Sequence, residues 1–516
     1  MARAGTAGLW IALLVASGSR LALELLAMPP YAGLDEVYHV GRVSFVAATH
    51  RNPIRDEESM PLYLARSIRG DPSSPWDFAM LGSRWPEAVS GRRDRWPDPP
   101  VSAHDGLSMV AKNYETQQPS LYYSAFGNAL RAFPGRSQLG ELLSLRVAAG
   151  LLALSVVLAT ASVAARFHGA AGFLAAGLLV AAPAWLTLVC RSGNDALACA
   201  AAGVALALTF RGRTSPVGVA AEALAWSAAV AAKLTTWPLA VTVLLAGHRL
   251  HRSLRRTVVV VLSMLVAVGL SASDLGRRTG TFVGDQGLTG ESVVNASPPA
   301  GIDYLTAAKV FLASAIWPGA QHGNALTGKA MLVYAGVFLA LAIAGLLSCR
   351  RRLRHVGLLL AVLLFFALAQ AGHAWGFFRE AARAGLRLPA GGFEGWYVWT
   401  LAPLLVATLF AGSLRGLRGR PALLVTLTLW LLVWDVVIHE GGIFRDYAGL
   451  TSPAVGSFFF RWGPLWGTSE GLGELANLSA SGAPLALLVA LRCLHVAATA
   501  VLIVLVIRRV RIPAQS

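Results

Sequence analysis

The chain has 516 residues, of which 55% are hydrophobic and 14% charged, and its mean hydropathy is +0.57. Soluble domains carry about 25% charged residues, so a water-facing globule is excluded, and four cysteines exclude a disulfide-stapled scaffold. The net charge of +17 raises nucleic-acid binding, which the placement of the charges rejects.

A spanning helix needs about 20 apolar residues. Stretches of that kind lie at 7–28, 139–165, 170–189, 195–210, 257–272, 329–348, 356–373, 398–414, 421–438 and 484–507. The first is too long for a signal h-region and is expected to stay as a span. A further stretch, 217–247, is broken between Lys233 and Pro238 and reads as two short limbs of a hairpin. The expected fold is an all-α polytopic membrane protein with about twelve transmembrane helices.

The basic residues test this arrangement. Arg3, Arg166, Arg211, Arg213, Arg249, Arg252, Arg255 and Arg256 lie between or beside the expected spans, in short segments without acids. So do Arg350, Arg351, Arg352, Arg354, Arg415, Arg418, Arg420, Arg508, Arg509 and Arg511. All fall on one side if both termini are cytoplasmic, which is the positive-inside pattern of a multi-pass plasma (inner) membrane protein. The lipid bilayer is then the partner of this charge, and nucleic acid is not. The alternation also requires 217–247 to cross twice or to dip and return. Each limb, at about 22 Å, is short of a core of about 30 Å, so the tip at Lys233 is expected below the outer surface.

The remaining organisation follows. Residues 1–28 form the first span and 29–138 a large outer loop with juxtamembrane helices. Residues 139–272 hold spans two to seven, and 273–328 form an outer loop. Residues 329–438 hold spans eight to eleven around an outer loop at 374–397; 439–483 is outer loop, and 484–516 the last span with a basic tail.

Polar residues at membrane boundaries are the functional candidates. After Pro29-Pro30, a helix starting at Leu34 puts Asp35, Glu36 and His39 on one face, where two carboxylates and an imidazole can act as base, orienter and proton partner. The same residues also suit a helix cap and a solvated imidazole. A second cluster closes the loop with Glu115, Gln118, Tyr122 and Tyr123. Arg146 lies just inside the second span, Asn194 and Asp195 at an outer turn, and Lys233 at the hairpin tip. Ionisable groups at such depth face a cavity or an anion. Glu394 and Tyr397, then Asp435, His439, Glu440, Arg445 and Asp446, crowd outer helix ends. Cys190, Cys199, Cys349 and Cys493 have neither zinc nor disulfide spacing. Adjacent Asp35 and Glu36 are weak grounds for a divalent metal, so no metal or other cofactor is expected.

In order along the chain, these pieces resemble the C-type glycosyltransferase superfamily, and bacterial members with a Pro-x-Asp-Glu-x-x-His first-loop motif in particular. Here the motif stands as Tyr31-Ala-Gly-Leu-Asp35-Glu36-Val-Tyr-His39. The family's Glu-x-x-His-Pro-Pro-Leu-Tyr-Tyr is similar to Glu115-Thr-Gln-Gln118-Pro119-Ser120-Leu-Tyr-Tyr123. Its arginine-bearing span entrance resembles Leu143-Ser-Leu-Arg146, its Asn-Asp-Ala-Leu turn Asn194-Asp-Ala-Leu197, and its Lys-Leu-Thr hairpin Lys233-Leu-Thr235. Gly395-Trp396-Tyr397 is similar to its Gly-Arg-Tyr segment. Gln118 stands at a usual His, Ser120 at a usual Pro and Trp396 at a usual Arg.

The resemblance implies an inverting glycosyltransferase that moves a hexose or pentose from a polyprenyl-phosphate sugar donor to a glycan, lipid or protein acceptor, on the outer face, in building the cell envelope. It implies that Asp35 is the general base, that Glu36 and His39 orient it or bind the acceptor, and that Arg146 and Lys233 neutralise the leaving phosphate. Glu115, Gln118, Tyr122, Asn194, Asp195, Glu394 and Tyr397 are the further substrate-binding candidates. Two other readings compete: a polytopic transporter or lipid flippase, which explains intramembrane charge equally well, and an inactive relative in envelope glycan assembly.

Overall fold

The computed structural model describes residues 2–28, 31, 36–62, 64, 109–133, 137–212, 215–234, 236, 253–280, 329–348, 368, 395–417, 420–447, 472–473, 476, 479 and 481–511. Helix α1 covers Ala2–Ala27 and α2 Glu36–Thr49. Two four-residue strands follow, β1 at Glu58–Pro61 and β2 at Met109–Lys112, then a 3₁₀ turn at Tyr114–Gln117. Next come α3 (Leu121–Arg131), α4 (Gln138–His168), α5 (Ala170–Gly177), α6 (Pro183–Val189), α7 (Asn194–Arg211), α8 (Pro216–Ala232), α9 (Leu254–Thr279) and α10 (Lys329–Ser348). A broken segment, Gly395–Gly416, precedes α11 (Pro421–Tyr447) and α12 (Leu485–Arg511).

Local chemistry sets these boundaries. Ser137, Ser215 and Ser253 cap α4, α8 and α9 by accepting from the backbone N–H three residues on. Pro216 sits at the start of α8, where a missing N–H costs nothing. At the other ends Gly212 and Gly280 take left-handed backbone, φ 69° and 75°, and close α7 and α9.

Among the described residues, four helical segments are long and apolar enough to cross a membrane: Thr6–Ala27, Gln138–His168, Leu254–Thr279 and Leu485–Arg509. Ala170–Ala181, Pro216–Ala232, Gly336–Gly345 and Pro421–Val436 are shorter apolar helices. The second limb of the hairpin and the stretch 356–373, residue 368 apart, lie outside the described residues.

The structure corrects several expected spans. The stretch 170–189 is not one helix: α5 passes into a 3₁₀ turn at Leu178–Ala181 and stops at Ala182, whose backbone is extended. Pro183 explains the break, because its ring disfavours helical backbone in the preceding residue and it has no N–H to continue the ladder. The stretch 398–414 is likewise divided, into a 3₁₀ run at Gly395–Leu401, one turn at Ala402–Leu405, a π segment at Val406–Phe410 and a last turn at Ala411–Gly416. Pro403 lies at that first junction. Where the sequence suggested loop, α9 continues past residue 272 to Thr279 and α11 past residue 438 to Tyr447. The first loop is not purely helical: β1 and β2 pair antiparallel, Glu58 opposite Lys112.

Helix α1 runs antiparallel along α12, with Thr6 near Arg509 and Ala16 near His495, and it also packs on α4. The main core fills the space between them with small residues and two fully buried indoles, Trp185 and Trp226. At Gly150 a Cβ would meet the Leu25 side chain of α1, which would have to move aside, so the two helices approach closely there. A second core joins α2, α3 and the start of α4 through Val40, Val43, Tyr123 and Leu142.

Two ion clusters lie within the helical body. Arg20 on α1 donates Nε and Nη2 to the Asp435 carboxylate at 2.7 and 2.8 Å and Nη1 to Glu24 at 2.9 Å. Asp435 therefore belongs to the interior rather than to a solvated helix end, and only the backbone of His439, Glu440, Arg445 and Asp446 is described. Arg256 on α9 donates to Glu222 on α8, which also accepts from Thr209 on α7.

Candidate active site

Ten of the fourteen residues of α2 are buried, and its polar positions Glu36, His39 and Arg42 recur at helical spacing along one stripe. Buried polar groups must be paired, and each of these finds its partner on a different element. Arg146, on α4, donates Nε and Nη2 to the two Glu36 oxygens at 2.9 and 2.7 Å. Both side chains have no solvent exposure. Ser192 N donates to the same carboxylate at 3.0 Å. Arg146 Nη1 donates to the Met28 carbonyl at 2.9 Å, just past the end of α1. One arginine thus ties α1, α2 and α4 together.

The second group forms where α7 begins. Asp195 lies in the first turn of α7, where a carboxylate complements the helix dipole. Its Oδ2 accepts from Arg191 Nη2 at 2.6 Å and its Oδ1 from Lys233 Nζ at 2.5 Å. Lys233 is the residue at which α8 ends in extended backbone. A single carboxylate is therefore shared by two buried cations. Asn194 Nδ2 donates to the Ala232 carbonyl at 3.1 Å and to Gln118 Oε1 at 3.2 Å. Ser192 Oγ and Asn194 Oδ1 are buried with no hydrogen-bond partner among the described residues.

The third group is a relay. Tyr123 Oη donates to Glu115 Oε2 at 3.0 Å and lies 2.8 Å from His39 Nδ1. Because the phenol proton goes to the carboxylate, Nδ1 must donate to the phenol oxygen, which assigns the proton-free nitrogen to Nε2. That edge of the ring faces Gly193: a Cβ there would lie 3.2 Å from Nε2. Burial, with Arg191, Lys233 and Arg42 nearby, drives the imidazole well below its usual range against the opposing pull of Asp195. His39 is accordingly neutral. Burial and Glu115 push the Tyr123 phenol well above its ordinary value. Arg42 lies 3.8 Å over the Tyr123 ring.

Of the residues singled out in the sequence, Glu36, His39, Glu115, Gln118, Arg146, Asn194, Asp195 and Lys233 are joined by these contacts into one buried assembly. Tyr122 is buried beside it, edge-on to Tyr123 with centroids 5.2 Å apart. Asp35 and Glu394 lie outside the described residues, as does the side chain of Tyr397, whose backbone belongs to the 3₁₀ run. Four participants were missed: Arg191, Ser192, Tyr123 as a relay, and Arg42. Arg191 carried a readable signal, since it stands four residues before Asp195 between two apolar stretches.

The assembly gathers at one set of helix ends: Arg146 near the start of α4, Asp195 in the first turn of α7, Lys233 at the end of α8. Arg166 and Arg211 close the opposite ends of α4 and α7. Three hydrogen-bonded carboxylates, a neutral imidazole with a bare nitrogen and an excess of cations are the components needed to manage a proton beside an anionic group. Among the described residues, no group of three or more His, Cys, Asp or Glu is placed to hold a metal ion.

No family model and no curated protein matches this chain. Six chains of solved structures do. One is the crystal structure of ArnT from Cupriavidus metallidurans bound to undecaprenyl phosphate, 15% identical, covering 95% of this chain and 77% of that one with a TM-score of 0.41.

Proposed function

We propose that the chain is an inverting membrane glycosyltransferase that takes a sugar from a polyprenyl-phosphate donor on the outer face of the plasma membrane. The observation that carries this is the sharing of Asp195 between Arg191 and Lys233, next to the Arg146–Glu36 pair and the His39 relay. Among the described residues that region has more cations than carboxylates, which suits a phosphate group held against apolar helices. An acceptor hydroxyl attacks the anomeric carbon, its proton passes to the Asp35 carboxylate, and the bond from the sugar to the phosphate oxygen breaks. The phosphate leaves with the electron pair, and Arg191, Lys233 and Arg146 stabilise the charge that develops on it. Glu36 and the Glu115–Tyr123–His39 relay hold the acceptor side. The sugar is a hexose or pentose, the acceptor a glycan, lipid or protein, and the chain needs no cofactor.

The test uses purified protein with a polyprenyl-phosphate sugar and an acceptor, and measures release of free polyprenyl phosphate. Asp35→Asn is expected to lower turnover by about 10²- to 10⁴-fold. Lys233→Met, losing one charge-assisted contact of about 1.5–3 kcal/mol, is expected to weaken donor binding by roughly tenfold or more. Full turnover in both variants refutes the assignment. Movement of an intact lipid across vesicles without bond cleavage would establish transport instead.

A further inference from the structure

Two side chains of the candidate active site, Glu115 and Gln118, are presented by a short 3₁₀ turn, which by itself makes few and poor hydrogen bonds. Its own bonds are Thr116 N to Asn113 O at 3.2 Å, Gln118 N to Glu115 O at 3.0 Å and Glu115 N to Asn113 Oδ1 at 2.9 Å. Its carbonyl side is held from outside by two guanidinium groups. Arg42 Nη1 donates to Glu115 O and, at 2.9 Å, to Gln118 O. Arg278 Nη1 donates to Thr116 O at 2.7 Å and Nη2 to Gln118 O at 3.0 Å.

Arg278 comes from far away in the chain, at the last turn of α9, and meets the site through backbone carbonyls of the turn. Its remaining nitrogen is engaged too: Nε donates to Asp274 Oδ2 at 3.0 Å, one turn back on the same helix. Asp274 in turn accepts from Ser120 Oγ, at the start of α3. The Arg278 carbonyl accepts from Arg55 N at 2.7 Å, which fastens the segment before β1 to the same helix end. The guanidinium is 8% exposed at the side chain, so water competes weakly for the carbonyls it serves.

We infer that Arg278 is a positioning residue: it fixes the carbonyl side of the 114–118 turn, so that Glu115 stays on Tyr123 and Gln118 on Asn194. The planar fork reaches two carbonyls of the turn at once while Nε stays tethered to Asp274, which a lysine ammonium cannot reproduce. Its catalytic consequence rests on the function proposed above; its structural consequence does not.

The experiment compares full-length wild type, Arg278→Lys, Arg278→Gln and Asp274→Asn in detergent, by hydrogen exchange of the segment 113–118 and by transfer kinetics. Loss of buried charge-assisted bonds predicts exchange at that segment faster by about tenfold or more in Arg278→Gln, with α4 and α7 unchanged. Arg278→Lys falls between it and wild type. Turnover in Arg278→Gln drops by about tenfold or more while donor KM stays within about twofold, because the phosphate cations are untouched. Unchanged exchange at 113–118 overturns the inference, and so does faster exchange with wild-type turnover. A full return to wild-type behaviour in Arg278→Lys also overturns it, since charge alone would then suffice. Should the Arg278 variants not fold, Asp274→Asn decides: a smaller rise in exchange at the same segment supports the inference, and none overturns it. If wild type transfers no sugar, the proposed function fails and the exchange result alone decides the positioning.

Discussion

Replacing Arg146 by Gln removes three donors from two buried acceptors, the Glu36 carboxylate and the Met28 carbonyl. Glu36 keeps the Ser192 N–H. Leaving a buried carboxylate charged without its partner costs about 3–5 kcal/mol. The alternative is protonation, which for a carboxyl of ordinary pKa near 4.3 costs about 3.7 kcal/mol at pH 7. The cheaper route sets the ceiling, so the variant is expected to lose about 3–4 kcal/mol at neutral pH. Protonation becomes easier by about 1.4 kcal/mol per pH unit, so about 2 kcal/mol of the gap to wild type should close by pH 5.5. The double variant Arg146→Gln, Glu36→Gln removes the charge problem and should be the more stable of the two at pH 7. Equilibrium unfolding in mild detergent at several pH values measures all three proteins. A single variant as stable as wild type, or a double variant no better than the single, refutes the premise that this pair is buried and mutually dependent.

The neutral His39 gives a second pH effect, of known sign. Its folded pKa lies well below 6.5, so as pH falls through 6.5 the unfolded chain takes up a proton that the folded chain refuses, and stability declines. The loss is expected to grow between pH 7 and pH 5.5, and His39→Gln, compared by the same unfolding measurement, should lack it. In the helical body, Arg20→Leu takes a hydrogen-bonding cation away from two buried carboxylates, Glu24 and Asp435. It should cost about 3–5 kcal/mol, with Asp435→Asn in the same chain restoring part of it, as judged by thermal melting of the detergent-solubilised protein.

What the sequence disclosed follows from what hydropathy can and cannot register. Lys233 and Asn194-Asp195 stood out because polar groups at membrane depth are costly, and both prove to be buried and paired. Arg20 and Glu24 are equally costly, yet the apolar residues around them kept the average of the first stretch high and hid them. The signal was there: a cation and an acid four apart inside a span ask for a third charge, which is Asp435. Hydropathy is also blind to backbone, so 170–189 read as continuous although Pro183 forbids it. The β1–β2 ribbon joins residues separated by a long stretch of chain, and four-residue strands carry too little periodicity to announce themselves. Arg278 was read as loop because Ser-Asp-Leu-Gly-Arg-Arg-Thr is polar. Tertiary contacts override that polarity: α9 continues through it, and the polar residues at its end are the ones that grip the first loop.

Two of the three described acids of the site, Glu36 and Asp195, differ in what they meet. Glu36 is met by a bidentate guanidinium and a backbone N–H, which also tie α2 to α4. Asp195 accepts from Arg191 and Lys233 together, one on each carboxylate oxygen. At an effective dielectric of 20, a unit charge 4 Å from another is worth about 4 kcal/mol. Under the function proposed above, an anion arriving beside these two cations gains on that scale from each. In its absence the Asp195 carboxylate holds the Lys233 ammonium in place, at 2.5 Å from Nζ. For the proposed transfer, that carboxylate positions the cation for the phosphate. On the same proposal, the phosphate of the donor lies among Arg191, Lys233 and Arg146, with Asp195 and Glu36 holding those cations in place.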